Sequence, residues 1–463
     1  PLNTRFKGAE AAYILRNAGA TTLLTVRGFL GSDYPAMLTD EDTGALARIV
    51  VLRQEGDAAA AGPAGVAILG LEELLAAGQR VGTSDTAARA AAVGPEDVSD
   101  LIFTSGTTGH PKGAATTHAQ SLRTFGTWSS IVGLGASDRY LVVNPFFHTF
   151  GYKAGILACL MAGATVVPEP VFDAGAVMAR IAAERISVLP GPPTLYQTLL
   201  SDPGRADHDL SSLRLGVTGA AVVPVELVQA MRDELGFETV LTAYGLTESC
   251  GTVTMCRRSD PPEVVSATSG RAIPGLEVQV VADGKEVPSG EPGEIVVRGY
   301  TVMSGYWGDE AATAEAIDAD GWLHTGDIGV MDTRGNLTIT DRVKDMYVVG
   351  GFNAYPAEIE AILRGHEGVA QVAVVGVPDE RMGEVGCAYV VPARTVDGET
   401  DPEELGRAIL SWSRGAMANY KVPRRVVLVD ALPVNASGKV LKRDLRQRHA
   451  TGADRVVTNE RSE

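Results

Sequence analysis

The sequence predicts an α/β protein. Its large N-terminal domain is built of mostly parallel sheets flanked by helices, with a β-rich subdomain, and a small α+β C-terminal domain follows. Three observations carry this. The chain has 463 residues, too many for one hydrophobic core. From about Asp97 to Gly335, β-branched runs alternate with amphipathic helical stretches, the pattern of strands crossed over by helices. Beyond Arg342 the order changes to strand, helix, strand, strand, helix, strand over roughly a hundred residues, a common domain size.

Within the first region the expected strands are Leu101–Thr104, Tyr140–Val143, Ala164–Val167, Ser187–Leu189 and Leu213–Val217. Ala174–Glu184 and Val225–Leu235 carry helical periodicity. Ile295–Gly299 and Asn336–Thr340, set among Gly-rich turns, read as strands of a more antiparallel region. In the second unit, Pro at the start of Pro356–Leu363 marks a helix opening. Val369–Val377, Ala388–Val391 and Arg425–Leu428 are β-rich, and Glu403–Arg414 is helical. The expected division is residues 1–341, a hinge at 342–346, a second domain at 347–449 and a polar, frayed tail at 450–463.

Composition narrows the function. Lys and Arg number 40 against 57 Asp and Glu, a net charge of −17, which argues against nucleic acid or an anionic membrane as the main partner. Hydrophobic residues make up 45% and charged residues 21%, so the chain can build cores. No uninterrupted apolar run is long enough to span a bilayer, and no secretory signal is visible. Cys159, Cys250, Cys256 and Cys387 show no C-x-x-C spacing and read as reduced thiols, which predicts a cytoplasmic location.

The chemistry begins at Thr104-Ser105-Gly106-Thr107-Thr108-Gly109-His110-Pro111-Lys112-Gly113. Glycines let the backbone turn its N–H groups toward an anion, the hydroxyls add donors, and Lys112 adds charge. The spacing does not fit G-x-x-x-x-G-K-[ST], which disfavours a Walker-type NTPase. The string resembles the phosphate loop of the adenylate-forming superfamily: acyl-CoA synthetases, peptide-synthetase adenylation domains and luciferases.

The resemblance implies roles for further residues. Thr242-Ala243-Tyr244-Gly245-Leu246-Thr247-Glu248 resembles the second core motif. It implies Tyr244 and Gly245 against adenine, Thr247 on phosphate and Glu248 on Mg²⁺, a hard cation that suits a carboxylate. Gly219-Ala220-Ala221 resembles the backbone that lines the base, and small residues permit close approach. Asp327, in Trp322-Leu323-His324-Thr325-Gly326-Asp327, resembles the ribose-binding carboxylate, and Arg342 the nucleotide-contacting arginine. Lys344 stands at the hinge position. Pro433-Val434-Asn435-Ala436-Ser437-Gly438-Lys439 resembles the catalytic-lysine loop, with Lys439 as the point charge for adenylation. Gly350 and Gly351 resemble the loop lining a CoA pantetheine tunnel.

By the same resemblance His148 and Phe147 border the acid, opposite Ala243, Gly245, Leu246, Cys250 and Gly251. That lining is small and apolar, suited to a bulky hydrophobic acid. No acidic residue stands where an α-amine would be held. The likeness over Asp97–Arg446 is greatest to actinobacterial ligases of steroid-ring breakdown, which activate the propanoate of a methylated hydrindane dione. It implies ATP, Mg²⁺ and CoA as cofactors, a small carboxylic acid as partner, and is compatible with a homodimer. With no carrier region after His449, a free thiol is the expected acceptor. Members of the family carry a further region ahead of the segment resembling Pro1–Arg5, so part of the N-terminal domain is expected to lie beyond this sequence. Two alternatives stay open: an adenylating enzyme without CoA transfer, such as a nitrite-activating diazotase, and an inactive nucleotide-binding protein.

Overall fold

Apolar strands separated by amphipathic helices need a sheet to pack on, and the computed structural model shows which sheet each joins. It describes the chain except residues 55–61, 105–110, 220–222, 343–344, 350–351, 355, 380–381, 394–400, 418, 435–439, 453–455 and 459–463. The first strands, β1 (Thr22–Arg27), β2 (Arg48–Gln54) and β3 (Ala67–Gly70), form a small parallel sheet. The helix Gly8–Ala18 packs there, burying Ala12 and Leu15 with Leu38, Leu46 and Ile49.

Next come β4 (Val98–Thr104) and β5 (Lys112–Thr117), which pair antiparallel with Thr104 opposite Lys112. This corrects the expectation that Leu101–Thr104 joins the parallel sheet. The connection between the two is too short for a crossover helix, so only a hairpin is possible.

The parallel sheet forms further along. β6 (Arg139–Val142) pairs with β7 (Thr165–Pro168), and β8 (Leu215–Gly219) with β9 (Thr239–Tyr244), both in parallel. Val188 bridges Tyr140 and Leu215, joining the two pairs. Tyr140, Leu141 and Val142 are all buried, as a strand covered on both faces requires. Phe125 and Trp128 of the helix His118–Val132 share their core with Met178, Ile181, Tyr196 and Met231 from other helices. β10 (Thr254–Met255) and β11 (Arg271–Ala272) extend the β9 edge antiparallel.

The expected antiparallel region is present. It comprises β12 (Leu276–Ala282), β13 (Lys285–Glu286) and β14 (Pro292–Gly299). β15 (Gly305–Tyr306) leaves to pair with β5, while β16 (Leu323–Met331) and β17 (Leu337–Arg342) complete the sheet.

The last sheet holds β18 (Tyr347–Val349), β19 (Phe352–Ala354), β20 (Val369–Asp379), β21 (Gly383–Pro392), β22 (Arg425–Leu428) and β23 (Val456–Thr458). Strand periodicity sorts its core. Val372 and Val374 face Ile359, Leu363, Leu405 and Ile409 from the helices Pro356–Leu363 and Pro402–Ala416. Ala373 and Val375 face Leu445 of the helix Lys442–Ala450. The tail departs from expectation: β23 pairs antiparallel with β22, because the short β-branched run Val456-Val457-Thr458 can complete that edge.

All four cysteines are buried and none forms a disulfide. Among the described residues no helix is long and apolar enough to cross a membrane.

Candidate active site

Three elements converge on one place: the loop end of the β4–β5 hairpin, where Thr104 opposes Lys112, the turn after β9, and β15. The turn begins where β9 ends at Tyr244 and returns into β10 opposite it, Thr254 facing Tyr244. Val253 N–H donates to the Tyr244 carbonyl at 2.8 Å and Gly251 N–H to Leu246 at 2.9 Å, closing the turn. Gly245 is dictated by crowding. A Cβ there would lie 2.4 Å from the Gly251 carbonyl oxygen. Gly219, facing Ala243 across the parallel pair, is similarly confined, with 2.5 Å to the Ala243 oxygen.

Glu248 sits on the short turn Thr247–Ser249, and its Oε1 accepts from Thr104 at 3.2 Å and from Tyr306 at 3.0 Å. Thr104 closes β4 and Lys112 opens β5, while Tyr306 comes from β15. The Lys112 ammonium lies 5.2 Å from the Tyr306 ring centroid, within cation–π range. Tyr306 holds its proton far above the usual tyrosine range, first because it is buried and next because Glu248 is beside it. The phenol is therefore a donor at neutral pH. Sequence reading missed Tyr306, since Ser304-Gly305-Tyr306-Trp307 carries no spacing that marks it.

A second pair stands beside this one. Tyr244 donates to Asp327 Oδ2 at 2.7 Å. Asp327 is nearly buried on β16 and opposes Arg342 in the β16–β17 register. Its turn is braced from below. Thr325 donates to the Ile295 carbonyl at 2.7 Å, and Glu294 Oε1 accepts from Gly326 N–H at 3.1 Å. The other Glu294 oxygen lies 2.9 Å from His324 Nδ1, with Asp318 3.6 Å from the far ring nitrogen. The hydrogen bond to Glu294 is the first cause of the raised His324 pKa.

His148 caps the short helix Thr149–Gly151, its Nδ1 accepting from Phe150 N–H at 3.2 Å. The ring reaches solvent, yet protein crowds it enough that desolvation lowers its pKa, which favours neutral imidazole. A Cβ on Gly251 would come within 2.9 Å of Thr149 Cβ, so the His148 segment and the post-β9 turn abut. Phe147, Ala243, Leu246 and Gly251 are each partly exposed there. Cys250 is the exception. It is fully buried in the left-handed region at φ 57°, so its thiol is not presented to solvent beside these residues.

The structure therefore brings together Thr104, Lys112, Thr247 and Glu248, and separately Tyr244 and Asp327. Ser105, Gly106, Thr107, Thr108, Gly109, Ala220, Ala221, Lys344, Gly350, Gly351 and Lys439 lie outside the described residues, as does the Arg342 side chain. Among the described residues no group of three or more His, Cys, Asp or Glu is placed to hold a metal. A lone carboxylate with neighbouring hydroxyls still fits Mg²⁺, which is bound through one or two carboxylates plus substrate phosphates.

A hairpin with Thr104 beside Lys112, a carboxylate next to it and a tyrosine–aspartate pair suit binding of a nucleotide. The chain belongs to the AMP-binding enzyme family: that family's model matches residues 1–307, and the model of the AMP-binding enzyme C-terminal domain matches 358–439. It is an AMP-forming acid–thiol ligase. The chain is 50% identical over 451 residues to a (7a-methyl-1,5-dioxo-octahydro-1H-inden-4-yl)propanoyl:CoA ligase of Rhodococcus jostii, covering 96% of this chain and 83% of that one. It is also 50% identical over 448 residues to the enzyme of the same name from Mycobacterium tuberculosis, with 96% and 83% covered. Among solved structures it resembles the anthranilate CoA ligase AuaEII in complex with anthranoyl-AMP, with a TM-score of 0.80 at 28% identity, covering 98% of this chain and 82% of that one. The O-succinylbenzoate CoA synthetase of Bacillus subtilis, in complex with ATP and magnesium, matches with a TM-score of 0.74 at 28% identity, covering 96% and 83%.

Proposed function

We propose that this enzyme adenylates the propanoate side chain of a methylated bicyclic dione and passes the acyl group to CoA in the cytoplasm. The observation that carries the reading is the Glu248–Thr104–Tyr306 cluster beside Lys112. The 50% identity to ligases named for that acid supports the substrate.

In the first half-reaction a carboxylate oxygen bonds to the α-phosphorus of ATP, the α–β anhydride bond breaks, and pyrophosphate leaves. Lys112 and the Thr104 and Thr247 hydroxyls bind phosphate oxygens, and Lys439 meets the charge that builds on the α-phosphate. Glu248 would hold Mg²⁺, which supplies charge neutralisation for the phosphates. Tyr244 and Asp327 seat adenine and ribose, a carboxylate being able to accept from both ribose hydroxyls. Neutral His148 borders the acid. In the second half-reaction the CoA sulfur bonds to the acyl carbon, AMP leaves, and the thiol proton passes to solvent. The segment after Lys344 would turn to exchange Lys439 for the Gly350–Gly351 loop.

The test is product analysis with a panel of acids. Mass spectrometry should find AMP and the acyl-CoA of the bicyclic propanoate. Adenylation of nitrite, or of an acid passed to an amine with no thioester, would replace this reading with a CoA-free one.

A further inference from the structure

Lys153 is a lysine with no surface. Its side chain is 1% exposed, and its ammonium lies 2.9 Å from Asp100 Oδ1, itself 6% exposed. The same nitrogen donates to Thr116 Oγ1 at 2.7 Å and Ser121 Oγ at 3.1 Å, with Cys250 Sγ at 3.4 Å. Thr116 donates in turn to Asp100 at 2.8 Å, and Ser99 Oγ caps the other carboxylate oxygen at 2.6 Å. The ammonium's donors are thus fully engaged.

The placement of these partners matters more than their number. Asp100 and Thr104 lie on one face of β4, two strand repeats apart, and Thr116 and Lys112 stand likewise on β5. The register sets Asp100 against Thr116 at one end and Thr104 against Lys112 at the phosphate end. Cys250 follows the Thr247–Ser249 turn that bears Glu248, and Lys153 belongs to the π-type turn Tyr152–Leu157 that comes after His148. Such turns inside helices recur at functional sites. Behind His148 the chain is tightly folded: a Cβ on Gly151 would lie 2.3 Å from the carbonyl oxygens of Asn144 and Pro145. One buried charge therefore ties the acid-side segment to the hairpin and to the Glu248 turn.

We infer that Lys153, with Asp100, is a positioning residue: it fixes the segment after His148 relative to the Thr104–Lys112 end of the hairpin, so that a carboxylate bound beside His148 meets the α-phosphate. This rests on the proposed adenylation. A buried ion pair is weak evidence for stability as such, because two desolvated charges roughly offset their attraction and an uncharged replacement is often as stable. Catalysis is less forgiving, since a displacement of about 1 Å away from the chemistry can cost on the order of a hundredfold.

The test uses the full chain with Lys153→Met, Asp100→Asn and the pair of substitutions together. Melting by circular dichroism, ATP binding by calorimetry and acid-dependent pyrophosphate exchange are measured for each, below its own midpoint. Either single change strands a buried charge and lowers the midpoint. The double variant buries no charge and recovers the midpoint. Exchange nevertheless stays reduced by on the order of tenfold or more in kcat/KM for the acid, while the ATP dissociation constant stays within a factor of about two. A double variant with parental kcat/KM for the acid would overturn the inference and leave a structural pair. So would an equal loss of ATP binding in the double variant. Absence of exchange in the parent enzyme would count instead against the proposed adenylation.

Discussion

Tyr244 and Asp327 come from different sheets, the end of β9 and the middle of β16, and meet through a 2.7 Å hydrogen bond from phenol to carboxylate. Each is thereby set before any nucleotide arrives. Tyr244→Phe keeps the ring and removes the donor. A hydrogen bond to a charged acceptor is worth about 1.5 kcal/mol, so the KM for ATP should rise roughly tenfold with kcat less affected. Steady-state kinetics at varied ATP checks this, and an unchanged KM would contradict the assigned role.

Tyr306 restrains the carboxylate assigned to magnesium. Tyr306→Phe leaves Glu248 with the Thr104 hydroxyl as its remaining donor in this cluster. Adenylation should fall about tenfold, and the half-saturating Mg²⁺ concentration should rise. Exchange assayed over a magnesium series reads both. A loss that no magnesium concentration changes would place Tyr306 elsewhere in the reaction.

His324 lies three residues before Asp327 on β16, in contact with Glu294. Its folded-state pKa is raised above the ordinary 6.5, chiefly by Glu294. The stabilisation of this contact is therefore complete below about 6.5 and is lost as pH climbs through the higher folded value. Glu294 also holds Gly326 N–H, one residue before Asp327. The KM for ATP should therefore rise as pH climbs beyond the ordinary imidazole value of 6.5, and His324→Gln should flatten that limb. A variant with the parental profile would sink the link.

Lys439 is assigned to adenylation alone. Lys439→Ala should abolish pyrophosphate exchange while largely keeping thioester formation from supplied acyl-adenylate and CoA. Parental exchange by this variant would refute the lysine's role.

Motifs with a chemical reason for their spacing were legible in the sequence. Lys112 could be singled out from the residues alone, as a cation closing a glycine- and hydroxyl-rich loop, whereas Tyr244, Glu248 and Asp327 were legible through the resemblance to the adenylate-forming superfamily. The helix Pro356–Leu363 was legible from its leading proline, and Arg425–Leu428 from its β-branched run. Long-range pairing was not. The antiparallel partner of Leu101–Thr104 is the strand on the far side of the loop, and β23 depends on an open edge at β22 that no local pattern reveals. Tyr306 and Lys153 were missed as positioning groups for the same reason, because each acts through partners distant in sequence.

Acid-dependent exchange of labelled pyrophosphate into ATP, with CoA omitted, bears most directly on the central claim. The methylated bicyclic propanoate should support rapid exchange that requires Mg²⁺, and no exchange should occur without an acid. Turnover of ATP that ignores every carboxylic acid offered would contradict the account.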